Sequence, residues 1–187
     1  MAPPTSSARC TDRWPPDKDT QVAQNIYDDN TFFAGYSALP RSVHGLDGAP
    51  EWPALRNLLP PIAGARLLDL GCGMGWFCRW AAEQGAANVL GIDLSTNMLE
   101  RARSMDNFGV ISYQQADLDA LRLSPGSFNL VFSSLAFHYL TDLDRLWREV
   151  ATALAPGGRL VFSVEHPMFT APVAPAGDGW LKLADDR

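Results

Sequence analysis

Leu67-Leu68-Asp69-Leu70-Gly71-Cys72-Gly73-Met74-Gly75-Trp76 passes from an apolar run straight into glycines at every second place. The apolar part reads as a short buried strand, and the residues from Trp76 onward read as a helix. The glycines between them make a turn at which a ligand can meet backbone, because glycine has no Cβ and tolerates φ > 0. Their spacing is G-x-G-x-G. A dinucleotide fingerprint wants its third glycine one place later, where this chain has Trp76. That offset separates two cofactor classes, and the rest of the chain decides between them.

Downstream of Gly64 the pattern alternates. Strands are expected over 66–70, 88–92, 110–115, 129–133 and 159–164, and helices over 76–84, 96–105 and 143–154. In the last helix Leu143, Leu146, Trp147, Val150 and Leu154 form one apolar stripe. Thr141 or Asp142 can cap its start, and Pro156-Gly157-Gly158 stops it. Alternating strands and helices imply right-handed crossovers, hence an α/β, doubly wound, mostly parallel sheet. Upstream, residues 1–17 are rich in Pro, Ser and charge and read as a disordered leader. Residues 18–61 read as a helical segment, with a weak helix over 18–27, an aromatic stretch over 27–36 and a second helix over 51–59 that Pro60-Pro61 ends. The core is expected over 62–168, followed by an irregular tail over 169–187.

With 187 residues, 47% hydrophobic and 19% charged, the chain suits one globular domain with a substantial core. A net charge of −6 argues against a nucleic-acid partner, which calls for a basic patch. No apolar run is long enough to span a membrane. The N-terminus lacks the apolar core of a secretory signal. The three cysteines have neither disulfide-framework nor zinc spacing, so no metal is expected and the cytoplasm is the simplest setting.

In a doubly wound sheet, ligands bind beyond the carboxyl ends of the strands. Asp93 ends the second strand about twenty residues past the first loop glycine, where an acid accepts hydrogen bonds from both ribose hydroxyls. Helix capping is the structural alternative, a role Ser95 already fills. Asp117 follows the third strand, where it can accept from an adenine amino group or serve loop geometry as an ordinary turn Asp. Asp69, inside the first strand, must be paired or hydrogen-bonded if buried. It can organise the loop amides or reach the amino group of an amino-acid-like ligand.

Five motifs in order complete the pattern: 67–75, Gly91-Ile92-Asp93-Leu94-Ser95, Ala116-Asp117, 128–133 and Leu154-Ala155-Pro156-Gly157-Gly158. Together they resemble the class I S-adenosylmethionine-dependent methyltransferases of the small-molecule type, over roughly residues 62–166. The resemblance implies that Gly71, Gly73 and Gly75 carry the methionine part of the cofactor, Asp93 the ribose and Asp117 the adenine. Asp69, Cys72, Leu94, Met98, Ala116, Leu118 and Ser133 are counted with them as cofactor-binding candidates. Asn129 stands where many members carry Asp, at a position of structural importance. The family sheet has seven strands, the last two an antiparallel hairpin. Only five are found here, so the sheet is expected to lack that hairpin and to leave the fifth strand as an open edge, a reason for a homodimer.

Methyl transfer asks the protein chiefly to align the acceptor and exclude water. His138, just past the fourth strand, is the first candidate base. Its alternative is positioning or packing against the cofactor. His166, beside Glu165, is the second candidate, with a rigid Glu165-His166-Pro167 turn as the alternative. Tyr36 and Arg41, in and after the aromatic stretch, are expected to belong to a lid that touches the cofactor, or else to a flap packed for stability. The acceptor is expected to be a small molecule. The rival readings are a non-catalytic family member and a nicotinamide-dependent oxidoreductase.

Overall fold

The computed structural model describes residues 25–166. Five strands, β1 (Arg66–Leu70), β2 (Asn88–Asp93), β3 (Ile111–Gln115), β4 (Phe128–Ser134) and β5 (Leu154–Ser163), form one sheet in the order β3-β2-β1-β4-β5. Every pair is parallel. The chain winds outward from β1 to β3, then returns to the other side of β1 with β4, so the order reverses between β1 and β4. That reversal is where an open α/β sheet forms its ligand crevice.

Burial of the central strand on both faces explains its three leucines around Asp69. Leu67, Leu68 and Leu70 are all fully buried. Leu67 faces a layer built from α3 (Trp52–Leu58), α4 (Trp76–Glu83) and α5 (Thr96–Ser104), with Leu55, Phe77, Leu99 and Phe132 at its centre. The rings of Phe77 and Phe132 stack at 3.7 Å, and Trp52 meets both edge-on. Leu68 and Leu70 face the opposite layer, where α6 (Leu143–Ala153) contributes Leu146, Val150 and Ala153. Asp142 caps α6 by accepting from the Arg145 amide at 3.0 Å.

The expected elements are present with small shifts at their ends, and the C-terminal joint corrects the sequence reading. Helix α6 ends at Ala153, and Leu154 is already extended and paired with Phe128. The strand expected to begin at Arg159 therefore begins at Leu154. Residues 155–158 bulge out opposite Asn129 before pairing resumes at Leu130 with Arg159. Pro156 has no amide to donate and Gly157 sits at φ 78, so this segment cannot hold regular register. Asn129 works structurally, as its sequence position suggested, by accepting the Arg66 amide at 3.0 Å. Among the described residues β5 is paired on one side alone.

Two short helices, α1 (Asn30–Ser37) and α2 (Pro40–Val43), precede α3. Neither was expected individually, nor were the 3-10 turns at Ile26–Asp28, Gly45–Gly48 and Phe137–Tyr139. Asp29 caps α1 by accepting from the Thr31 and Phe32 amides. The leader over 1–17, most of the helix expected over 18–27 and the tail over 169–187 lie outside the described residues. No helix among the described residues is long and apolar enough to cross a membrane.

Candidate cofactor and acceptor site

The loop after β1 is pinned from beneath. Gly71 and Cys72 both donate their amides to the Ile92 carbonyl, at 2.8 and 2.9 Å. Gly71, Gly73 and Gly75 all have positive φ, but their surroundings differ. A Cβ on Gly71 would collide with the Cβ of Ala136, and one on Gly75 with the hydroxyl of Tyr113. A Cβ on Gly73 would find nothing nearer than the Met98 sulfur at 4.0 Å. Two glycines are therefore there for packing, and Gly73 leaves backbone open to an approaching ligand.

Asp93 ends β2 directly across from this opening. Its Oδ2 accepts the Gly73 amide at 2.7 Å, and its Oδ1 accepts the Ser95 amide at 2.9 Å. Burial pushes the carboxyl pKa up, against the opposing hydrogen bonds from the Ser95, Gly73 and Leu94 amides. Ser95 performs the capping role expected of it, accepting the Met98 amide at 3.2 Å. Met98 lies buried below the glycine loop, and the half-buried Leu94 gives its carbonyl to the Gln115 amide group at 3.0 Å.

The third strand delivers Ala116, Asp117 and Leu118 to the same edge. The Ala116 amide donates to the Asp93 carbonyl at 3.1 Å, which ties the two loops together. Asp117 Oδ1 accepts the Asp119 amide at 2.8 Å, a turn-forming contact. Leu118 is buried, and Arg145 grips its carbonyl from α6. From β4, Ser133 is fully buried and donates its hydroxyl to the Leu70 carbonyl at 2.8 Å, bracing the strand end.

Asp69 lies below the loop, 3% exposed, and its hydrogen-bond partner is the Cys78 thiol at 3.3 Å. Burial raises its pKa to about 7. Burial likewise pushes up the thiols of Cys72 and Cys78, so both are held protonated and unreactive. Trp76, which stands where a dinucleotide fingerprint has its third glycine, fills that place with its indole. Arg79 lies over the ring at 4.5 Å and donates to the Met74 carbonyl at 2.7 Å.

The N-terminal segment packs against this edge through Tyr27 and Asp28. Tyr27 meets Phe32, Tyr36 and Tyr139 edge-on, and its hydroxyl is 3.3 Å from that of Tyr139. Burial raises the Tyr36 phenol pKa, with Arg41 opposing and Tyr139 and Asp93 adding to the rise. Asp28 latches the segment down. It accepts from the Ser95 hydroxyl at 2.5 Å and from the Asn97 amide at 3.1 Å. Arg41 is ion-paired with Glu51, which in turn accepts from the Ser134 hydroxyl at 3.1 Å. Ser163 and Ser134 hydroxyls meet at 3.2 Å, so a polar chain runs from the N-terminal segment across β4 to β5.

His138 occupies the 3-10 turn after β4, its ring 4.3 Å from that of Tyr139. Both imidazole nitrogens are buried without a hydrogen-bond partner. Leu135, three residues earlier, is held at φ 55, a strained conformation for a side chain of its size. His166 follows β5 and is exposed. Asp28 and Glu51 were not singled out as site residues in the sequence. Asp28 and Glu51 reach the site only through contacts 67 and 83 residues away in the chain, so no local spacing could mark them.

The described residues thus define an α/β protein with Gly73 and Asp93 joined at the edge where the strand order reverses. Residues 68–162 match the methyltransferase domain family, and the chain belongs to it. A solved S-adenosylmethionine-dependent methyltransferase from Mesorhizobium loti is 58% identical with a TM-score of 0.67, over 71% of this chain and 60% of that one. Methyltransferase GfsG of Streptomyces halstedii is 32% identical over 79% of this chain and 55% of its own length. The malonyl-[acyl-carrier protein] O-methyltransferase of Erwinia billingiae is 38% identical over 54% of this chain and 39% of its own. This chain spans 60% or less of the length of these relatives.

Proposed function

We propose that this chain carries the catalytic core of an S-adenosylmethionine-dependent methyltransferase acting on a small molecule. The observation that carries the reading is the pairing of Gly73 with Asp93. The one loop glycine whose Cβ direction is open lies against a carboxylate already oriented by two backbone amides. A carboxylate has lone pairs left after two such bonds, enough to accept from both hydroxyls of a ribose. The open backbone at Gly73 suits the methionine portion, and Asp117 keeps Oδ2 for the adenine amino group. The bound cofactor supplies an activated methyl group together with its own leaving group.

The chain's own residues then position and shield. The Tyr27, Tyr36 and Tyr139 cluster covers the edge against water, which is what a displacement between two aligned partners requires. His138 borders the acceptor side. The Mesorhizobium, GfsG and malonyl-carrier relatives support methyl transfer and differ in acceptor, as their names state. Calorimetric titration with S-adenosylhomocysteine tests the reading. Micromolar binding is expected, and binding of NADH with none of S-adenosylhomocysteine would overturn it.

A further inference from the structure

We propose that Arg79 is a positioning residue for the cofactor: through the Met74 carbonyl it sets the glycine loop against which the amino-acid end of S-adenosylmethionine is held. The inference rests on the methyltransferase reading and deepens it. Three successive loop residues are gripped by groups of opposite charge. From the end of β2, Asp93 Oδ2 accepts the Gly73 amide at 2.7 Å. From within α4, Arg79 reaches back with two donors. Its Nη1 donates to the Met74 carbonyl at 2.7 Å, and its amide to the Gly75 carbonyl at 3.1 Å.

Packing alone does not account for this residue. Arg79 is 7% exposed, and its Nη2 is buried without a hydrogen-bond partner. The ion pairs among the described residues are Arg41 with Glu51 and Arg122 with Glu149, so no carboxylate among them lies within ion-pair distance of Arg79. Burying an unpaired cation is unfavourable, and an apolar side chain of similar length would fill the space with less penalty. What the guanidinium adds is a charge-assisted bond to one loop carbonyl, made while it lies over the Trp76 ring at 4.5 Å. The Trp76 ring is itself held in place, because Gly45 of the N-terminal segment lies so close that a Cβ there would overlap it.

A loop of alternating glycines is unfavourable to order, because glycine loses more backbone freedom than any other residue. Gly71, Gly73 and Gly75 all take positive φ. With Gly73 held by Asp93 and Met74 by Arg79, the loop is ordered before a ligand arrives, and a ligand lying on it avoids that penalty on binding. The gain falls on the part of the cofactor over the loop, its amino-acid end. The nucleoside part rests on Asp93 and Asp117 and does not draw on Arg79.

The test compares two ligands on the full chain and on Arg79→Met, which keeps an unbranched stem and gives up the donor and the charge. S-adenosylhomocysteine carries the amino-acid end, and methylthioadenosine carries the same nucleoside and sulfur without it. Arg79→Met is expected to weaken S-adenosylhomocysteine binding about tenfold, as for loss of one charge-assisted hydrogen bond, and to leave methylthioadenosine binding unchanged. A merely structural role would weaken both ligands alike. Thermal melts of the same samples report on folding, and if Arg79→Met does not fold, Arg79→Lys, which retains a cationic donor, decides by the same comparison with a smaller loss expected. Equal losses for the two ligands, or no loss for either, overturn the proposal. A wild-type chain that binds neither ligand overturns the methyltransferase reading itself.

Discussion

The backbone amide of Gly73 donates to Asp93 Oδ2 at 2.7 Å, across twenty residues of chain and between two adjacent strand ends. One carboxylate thereby fixes the shape of the glycine loop and presents itself at the same opening. Hydrogen bonds to a charged acceptor contribute on the order of 1.5–3 kcal/mol each. Asp93→Ala is accordingly expected to weaken S-adenosylhomocysteine binding by about tenfold or more and to lower thermal stability as well. Calorimetry and thermal melts of the same samples check both effects, and unchanged affinity would remove Asp93 from the site.

Gly73→Ala separates binding from folding. The new methyl group meets nothing closer than the Met98 sulfur, yet it narrows the open approach to the backbone and is held at a φ of 52. Left-handed backbone costs a side-chain-bearing residue roughly 1–2 kcal/mol. A folded chain of moderately lower melting temperature, with cofactor affinity reduced about tenfold (about 1.4 kcal/mol) or more, is the expected outcome. Gly71→Ala should instead lose stability first, because its methyl group collides with Ala136.

Asp69 gives the fold a pH dependence of definite sign. Its pKa is raised by burial from the ordinary 3.8 to about 7. Between those values the folded chain keeps a proton that the unfolded chain has released. This group's contribution therefore makes stability fall as pH rises through that window and levels it off above about 7. Asp69→Asn cannot titrate. Melting temperatures measured between about pH 5 and 8 should show the wild-type slope reduced in that variant.

The stacked rings of Phe77 and Phe132 join α4 to β4 beneath the loop. Removing a buried aromatic ring costs about 3–5 kcal/mol. Phe77→Ala is expected to lower the denaturant midpoint by that equivalent, with Cys78→Ala, a smaller deletion in the same turn, costing clearly less.

Where the sequence carried period and punctuation, it foretold the molecule well. The five strands, the three helices between them and the placing of Asp93 and Asp117 at strand ends all follow from local pattern. The C-terminal joint departed because Pro156-Gly157-Gly158 reads equally as a helix stop and as a bulge within a strand. Parallel pairing with β4 decided it for the strand. Asp69 was expected to hold loop amides or a ligand amine, and its hydrogen-bond partner is Cys78, on the next helix. The N-terminal segment was harder still. Its aromatics were visible as too many for a linker, but the Asp28 contacts with Ser95 and Asn97 depend on the finished sheet edge. Charge pairs such as Arg41 with Glu51 leave no periodic trace either.

The Asp28 latch reaches the same three-residue turn that positions Asp93, since it bonds the hydroxyl of Ser95 while Asp93 bonds that residue's amide. Hydrogen bonds from Ser95, Asn97, Asn25 and Thr96 outweigh the effect of burial and hold the Asp28 carboxyl below its ordinary pKa, so it stays charged near neutrality. Thermodynamic linkage then makes the two events reciprocal. By whatever factor closure of the N-terminal segment raises affinity for a ligand on Asp93, that ligand raises the closed population by the same factor. Slower amide exchange over residues 26–37 in the presence of S-adenosylhomocysteine is the expected outcome, and exchange unchanged by the ligand would show that Asp28 and Asp93 are not coupled.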